Sequence, residues 1–515
     1  MILGDRDQTT ATDAGYGATL DGLFRRAAVR HPNALALADP PNRETFTDGA
    51  PRQLTYAEAD RIVWAIAARL RRLGLQTDAI VAMQLPNTVE SVLALLGILR
   101  AGLIAAPLPL LWRKADIMAA LGGVGAKMLI TTSRIGDQCH TELAMQTAAE
   151  LFPIRYVCAF GHNLSDGIVP LDDLLRLDKP DLLPAPARAG DPAAHIAIIT
   201  WDATIDGPVP IARSHLELIA GGLAVFLEGR IAQDAAILSA TPIASYAGIA
   251  VTLLPWLLSG GMLALHHPFE PESFATQRGT HRCDTVVLPS PLVARLIDAG
   301  ALDSDGLKTV IALWRAPERL DASESWQSDA VLVDAAAFGE IGIVAAARGA
   351  DGRTSPIDLG ILGAPRSSSN AMPIVETART SLGTLALRGA MVPVAAFPPG
   401  AERGETPHLR LSADGFADTG YPCRIERNSQ TLVVTGPQPG MIGLGGYRFV
   451  RRDIDALVEG QQAGGVIAAL PDSIIGQRFA GSAPDTTAVR AKLIERGVNP
   501  LIADAFRART TANAA

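Results

Sequence analysis

The sequence predicts an α/β fold of wound, mainly parallel sheets with smaller units appended, and three observations carry that prediction. Capped helices alternate with short apolar strands through the first half of the chain, the character turns β-rich from Ser381, and a Pro/Gly cluster follows at Gly436-Pro437-Gln438-Pro439-Gly440. A large N-terminal domain over 1–436 is therefore expected, made of two wound α/β subdomains plus a β-rich subdomain. Residues 437–440 form a hinge, and 441–515 a small, shortened α+β domain.

The elements follow in order. Thr55-Tyr56-Ala57-Glu58 is a capping box that starts a helix, with Ile62, Val63, Ile66, Leu70 and Leu73 on one face and Gly74 as its stop. Ala79 to Leu85 reads as a strand, Glu90 to Ala101 as a helix and Met128 to Thr132 as a strand. The alternation recurs at Ile196 to Thr200, Ala236 to Ala240 and Thr285 to Leu288, the last leading into a helix over Pro291 to Ala299. Gly383 to Arg388 and Gln430 to Thr435 are the clearest strands of the β-rich part. Ser91 to Trp112 and Tyr246 to Leu265 are long and apolar, but Arg100, Gly102, Pro107 and Pro109 interrupt the first, and Pro255 and Gly260-Gly261 the second. Each reads as a buried helix running into a strand and not as a membrane span.

Composition narrows the function classes. The 515 residues are 48% hydrophobic and 19% charged, which is the balance of a packed globular chain. A net charge of −8 with no basic run argues against a nucleic-acid partner. Cys139, Cys158, Cys283 and Cys423 lie far apart without a zinc-type pair, and Asp5, Arg6 and Asp7 break any apolar leader. A cytoplasmic protein is expected.

Several stretches carry a resemblance: "LTYAEADRIVWAIAARLRRLGL", "IVAMQLPNTVESVLALLGILRAG", "HIAIITWDATIDGPVPIARSH", "ATPIASYAG", "DGFADTGYPCRIE" and "GLGGYRFVRRDIDALV". Together they resemble the adenylate-forming superfamily of acyl- and aryl-CoA synthetases, peptide-synthetase adenylation domains and luciferases. The resemblance implies a cleft between a large domain and a mobile lid. It also implies a carboxylate joined to the α-phosphate of ATP with Mg²⁺, then commonly passed to a thiol.

The residues that would carry this chemistry have changed. The phosphate loop, roughly Thr-Ser-Gly-Thr-Thr-Gly-x-Pro-Lys-Gly in the family, aligns with Trp201 to Pro210. Asp202 stands for the serine, Ala203 and Asp206 for glycines, and Val209 for the lysine, while only Thr204 and Pro208 remain and Gly207 falls on the motif's variable position. Glycines let the backbone wrap an anion, and a carboxylate about 4 Å from a phosphate oxygen costs about 4 kcal/mol at an effective dielectric near 20. This loop should repel ATP, and on its own residues the segment reads as a surface turn between a strand and a helix. Ser214 and Glu217 form a second capping box, which makes His215 a helix-start residue.

Ser245 and Tyr246 occupy the acyl-pocket wall, and Trp314-Arg315-Ala316 replaces a glycine-rich element. An indole there, with 150 to 250 Å² of surface by the usual range for aromatics, is expected to fill the cleft with help from Arg315 and Phe338. Ala336-Ala337-Phe338-Gly339-Glu340 aligns with the motif that holds phosphate and Mg²⁺, leaving Glu340 as a lone metal candidate that serves equally as a solvated or helix-capping residue. Tyr421 takes the place of the ribose-binding aspartate. Pro437 and Pro439 stiffen the hinge, and the family's C-terminal lysine loop has no counterpart after Lys492.

Two functions compete. The first is a homologue that has lost adenylation, needs no cofactor, and binds a protein partner or an acyl or thioester ligand, with a homodimer possible. The alternative is an ATP-dependent ligase joining a carboxylic acid to a thiol, CoA or a carrier protein, with ATP, Mg²⁺ and CoA at a rearranged site that uses Arg213, Arg315 and Glu340. A third class, an acyl transferase on a pre-activated substrate, lacks a visible Ser/His/Asp or Cys/His arrangement.

Overall fold

The computed structural model describes residues 18–507 apart from 177–183, 185, 303–305, 323–324, 363–371, 405, 462–463 and 473–475. Three large sheets organise the chain. The first has eight strands, with Thr285–Pro289 at its centre between Thr309–Trp314 and Ala236–Ser239, mainly parallel, and closed at one edge by the antiparallel pair Val331–Phe338 and Gly342–Ala347. The second has seven strands, with Ile80–Met83 between the parallel Ile104–Pro107 and Met128–Thr132. A six-stranded antiparallel sheet follows, containing Thr384–Arg388, Ala417–Glu426 and Thr431–Val434.

The expected helix after Thr55 runs Tyr56–Arg72, and its capping box is formed as read: Glu58 N donates to Thr55 Oγ1 at 3.3 Å and Thr55 N to Glu58 Oε2 at 2.8 Å. Against it lies the helix Val89–Arg100, which is buried on every side. The two approach closely because of Gly97, where an added Cβ would stand 2.5 Å from Ile66 Cγ2. The charges of the buried helix are all paired, Glu90 with Arg43 and Arg52, and Arg100 with Asp21 and Asp60. An unpaired charge there would cost several kcal/mol, on the order of 3 to 5 by the usual range.

Both long apolar stretches are helix-into-strand units, as read. The second runs as helix from Tyr246 to Ser259, turns at Gly260 with φ +67°, and continues into Met262–Leu265. Among the described residues no helix is long and apolar enough to cross a membrane.

From Met441 the chain builds a small α+β unit. It contains the hairpin Met441–Leu444/Tyr447–Val450, the antiparallel pair Val466–Asp472/Gly476–Ser482, and the helices Arg451–Glu459 and Thr486–Glu495. Its core is its own, with Leu444, Ile454, Val458, Leu493 and Phe506 almost fully buried.

Candidate functional site

The stretch 201–210 is not a surface turn. It is most of an antiparallel hairpin, Ile196–Thr204 against Gly207–Ser214, in which Trp201 pairs with Pro210 and Asp202 with Val209. Only Ile205 and Asp206 form the turn, which Gly207 closes at φ +114° and Thr204 Oγ1 ties by donating to Gly207 O at 2.8 Å. Strand pairing consumes the backbone amides that an anion-wrapping loop would leave free. The signal was present in the sequence, since Asp-Gly between alternating apolar residues is a strong hairpin marker. Beyond the hairpin, Ser214 and Glu217 form the second capping box, and His215 is buried with Nδ1 accepting from Leu20 N at 3.2 Å.

Asp202 does not face open phosphate space. It is buried, its Oδ1 accepts from Glu340 N at 2.9 Å, and it is ion-paired to Arg448 of the C-terminal unit. Gly339 makes room for this: its φ is +61°, and an added Cβ would stand 2.3 Å from Asp202 Oδ1. Arg448 also donates from Nη1 to Gln438 Oε1 at 2.7 Å, and Gln438 donates onward to Thr419 O. Burial opposes the Arg448 charge, but the Asp202 carboxylate more than offsets it and the pKa is raised. Two further ties cross the boundary: Arg452 Nη2 donates to Ile205 O at 2.6 Å, and Leu111 N to Tyr447 Oη at 3.1 Å. Nothing in local periodicity pointed to Arg448 or Gln438, which come from the hinge and lid.

The expectation that Trp314 fills the cleft is overturned. A cavity of about 620 Å³ stands open between the large domain and the C-terminal unit, with Trp314 on its wall. The reason is a neighbour one strand away. Trp314 pairs with Ala336, so Asp334 lies diagonally on the same sheet face, and the indole Nε1 donates to Asp334 Oδ1 at 2.8 Å. That bond ties the indole to the neighbouring strand while the cavity beside it stays open.

The remaining candidates divide. Trp201, Ala203, Ser245, Arg315, Ala316, Gly339, Glu340 and Tyr421 border the cavity. Tyr246 and Phe338 do not line it. Tyr246 is fully buried beneath Arg213, whose guanidinium lies 3.7 Å from its ring centroid, and Phe338 packs edge-to-face on Tyr421 at 5.5 Å. Arg213 donates from Nη2 to the main-chain carbonyls Glu340 O and, at 2.8 Å, Ile341 O. Glu340 turns its Oε2 to the amide of Tyr246 at 2.7 Å, at the start of a helix that Ser245 caps, and burial raises its pKa. Among the described residues no group of three or more His, Cys, Asp or Glu side chains could hold a metal ion.

Known proteins share this fold. Residues 24–200 match the family described as AMP-binding enzyme. A salicyl-AMP ligase / salicyl-S-ArCP synthetase of Mycobacterium tuberculosis is 28% identical over 227 residues, covering 43% of this chain and 38% of that protein. A 4-hydroxyphenylalkanoate adenylyltransferase of Mycobacterium marinum is 33% identical over 124 residues, 24% of this chain and 20% of that protein. The matches thus span well under half the length of these relatives. Among solved structures, the amide bond synthetase McbA of Marinactinospora thermotolerans superposes with a TM-score of 0.69 at 17% identity, covering 93% of this chain and 94% of that one. MbtA of Mycobacterium smegmatis, in its apo form, gives 0.63 at 21% identity, covering 94% and 89%. At these identities the likeness is one of fold.

Proposed function

We propose that the chain, whose residues 24–200 match the AMP-binding family, is a member of the adenylate-forming superfamily that does not adenylate and instead binds a small molecule in the interdomain cavity. The family is ATP- and Mg²⁺-dependent, but the residues here do not fit a metal-bound triphosphate. The observation that carries the reading is the Asp202–Arg448 pair: a carboxylate held by an arginine of the lid hairpin stands on a paired strand where the family has a glycine-rich loop. Glu340 is engaged with Tyr246 N, and Tyr421 at the ribose position packs on Phe338.

The open cavity favours a small molecule over a protein partner, because about 620 Å³ lies within the 300 to 1,000 Å³ typical of ligand sites. Four free cysteines support a cytoplasmic protein. The division at 437–440 belongs to the same reading, with the lid held in one pose.

One observation favours the ligase alternative: Arg315, Arg319, Arg448 and Arg451 all border the cavity, against Glu318 and Glu340. Under that reading ATP, Mg²⁺ and CoA would be used. Calorimetric titration with ATP and Mg²⁺, together with ATP–pyrophosphate exchange over a panel of carboxylic acids, decides between the two. No nucleotide heat and no acid-dependent exchange are expected, and exchange clearly above the no-acid blank would put the ligase first.

A further inference from the structure

The helix His215–Glu228 is apolar on all sides, yet only one side of it is covered. Its inward face carries Leu218, Gly221, Gly222 and Val225, all buried. The glycines let it press onto the helix below, since an added Cβ at Gly222 would stand 2.0 Å from Leu254 Cβ. At about 100° per residue the opposite face carries Leu216, Ala220, Leu223 and Leu227. Leu216 and Leu227 are 45% and 56% exposed. A solvated helix face is normally charged. Here both acids are consumed locally: Glu217 accepts from the amide and the hydroxyl of Ser214, and Glu228 Oε2 from Ala347 N at 3.0 Å.

The helix Leu20–Arg30 runs beside it. Leu20 N donates to His215 Nδ1 where the apolar helix starts, and His31 stands 3.9 Å from Asp234, a few residues past where it ends. Both helices pack on Leu254–Ser259. Arg25 lies over the ring of Trp64, on the side of the helix Tyr56–Arg72. Leu23, Arg26 and Arg30, at i, i+3 and i+7, form another row. Arg26, Arg30 and Arg230 are exposed and have no ion pair among the described residues, because Asp21, the one acid of this helix, is paired with Arg100. Between the arginines Val29 is 84% exposed. Two adjacent helices thus present an apolar surface with a rim of uncompensated cations.

We propose that this surface docks on an anionic lipid bilayer, with Leu216, Leu227 and Val29 entering the headgroup layer and Arg26, Arg30 and Arg230 meeting lipid phosphates. Charge complementarity selects this occupant. A second copy seated on the same face would bring the arginines of both copies around one seam, whereas phosphates neutralise them. With a net charge of −8 the rest of the chain is turned away from an anionic surface, so the contact is made through this face. The protein lies on the bilayer and does not span it. This inference is independent of the reading of the interdomain cavity.

The test uses the full chain and co-sedimentation with two kinds of vesicle, one of phosphatidylcholine alone and one of equal parts phosphatidylcholine and phosphatidylglycerol. Binding to the mixed vesicles is expected at about 0.1 M salt, and it should largely disappear at about 1 M, where the Debye length falls from about 10 Å to about 3 Å. Phosphatidylcholine alone should bind much more weakly. Each arginine near an anionic surface is worth roughly fivefold in affinity, so Arg26→Gln/Arg30→Gln should lose about twenty-five-fold. Leu216→Ser/Leu227→Ser should lose about tenfold or more. Arg155→Gln/Arg427→Gln, at exposed arginines away from this face, should bind as the wild type does. The wild-type lipid and salt comparison stands even if a variant folds poorly.

Absence of binding to the mixed vesicles at about 0.1 M salt overturns the proposal, as does equal binding to both lipids or an equal loss in the Arg155/Arg427 variant. Sedimentation equilibrium without lipid supplies the rival outcome: a dimer that Leu216→Ser/Leu227→Ser dissociates would assign the face to a second copy, and the lipid proposal would fall.

Discussion

Replacing Asp202 by Asn removes one charge and almost no volume, and it tests whether the lid is locked. The side chains of Arg448 and Asp202 are 14% and 5% exposed, so the pair is buried enough for its loss to be felt. Removing one partner of a buried pair costs about 3 to 5 kcal/mol, because the other charge is left uncompensated. Here the lower end applies, since Arg448 keeps Gln438 Oε1 at 2.7 Å and Asn retains an acceptor for Glu340 N. The pair joins the large domain to the lid, so the cost falls on docking. About 3 kcal/mol is roughly a hundredfold in the docking equilibrium at 1.36 kcal/mol per decade. Hydrogen-exchange mass spectrometry should show amides over 438–450 exchanging on the order of a hundredfold faster in Asp202→Asn, and solution scattering should show a larger radius. The double variant with Arg448→Gln should recover part of the loss, because no buried charge is then left alone. Unchanged exchange in the hinge and hairpin would refute the reasoning.

Three further outcomes are expected. Wild-type scattering should show the same domain arrangement with and without added ligand, and a ligand-induced rotation would contradict a locked lid. Gly339→Ala should destabilise by about 1 to 3 kcal/mol in urea, through φ +61° and a Cβ 2.3 Å from Asp202 Oδ1; a midpoint equal to wild type would show that the backbone relaxes. Burial lowers His140 and His215 to about 3 and His267 to about 4, from an ordinary 6.5. Unfolding therefore takes up protons as pH falls, so stability present above pH 6.5 is lost progressively towards pH 3 to 4, by about 2 kcal/mol per histidine at pH 5. Urea midpoints at pH 7 and pH 5 check this, and His215→Asn, which keeps an acceptor for Leu20 N, should flatten the slope.

Much of the scaffold is written locally. The capping boxes at Thr55/Glu58 and Ser214/Glu217 are formed, and Ile62, Val63, Ile66 and Leu70 are buried as their spacing requires, because caps and periodicity depend on residues three or four positions apart. The same reach covers Asp206-Gly207, a hairpin marker that was legible although the segment reads as a loop when measured against a phosphate motif. The site is another matter. Asp202 looks like a repulsive charge until Arg448, 246 residues away, is brought against it. Trp314 looks like a plug until Asp334 takes its indole N–H, and Tyr246 and Phe338 look like wall residues until the core covers them. Which polar partner a side chain finds, and which face of the cleft it then presents, is set by contacts between elements and domains, and that information has no local period to read.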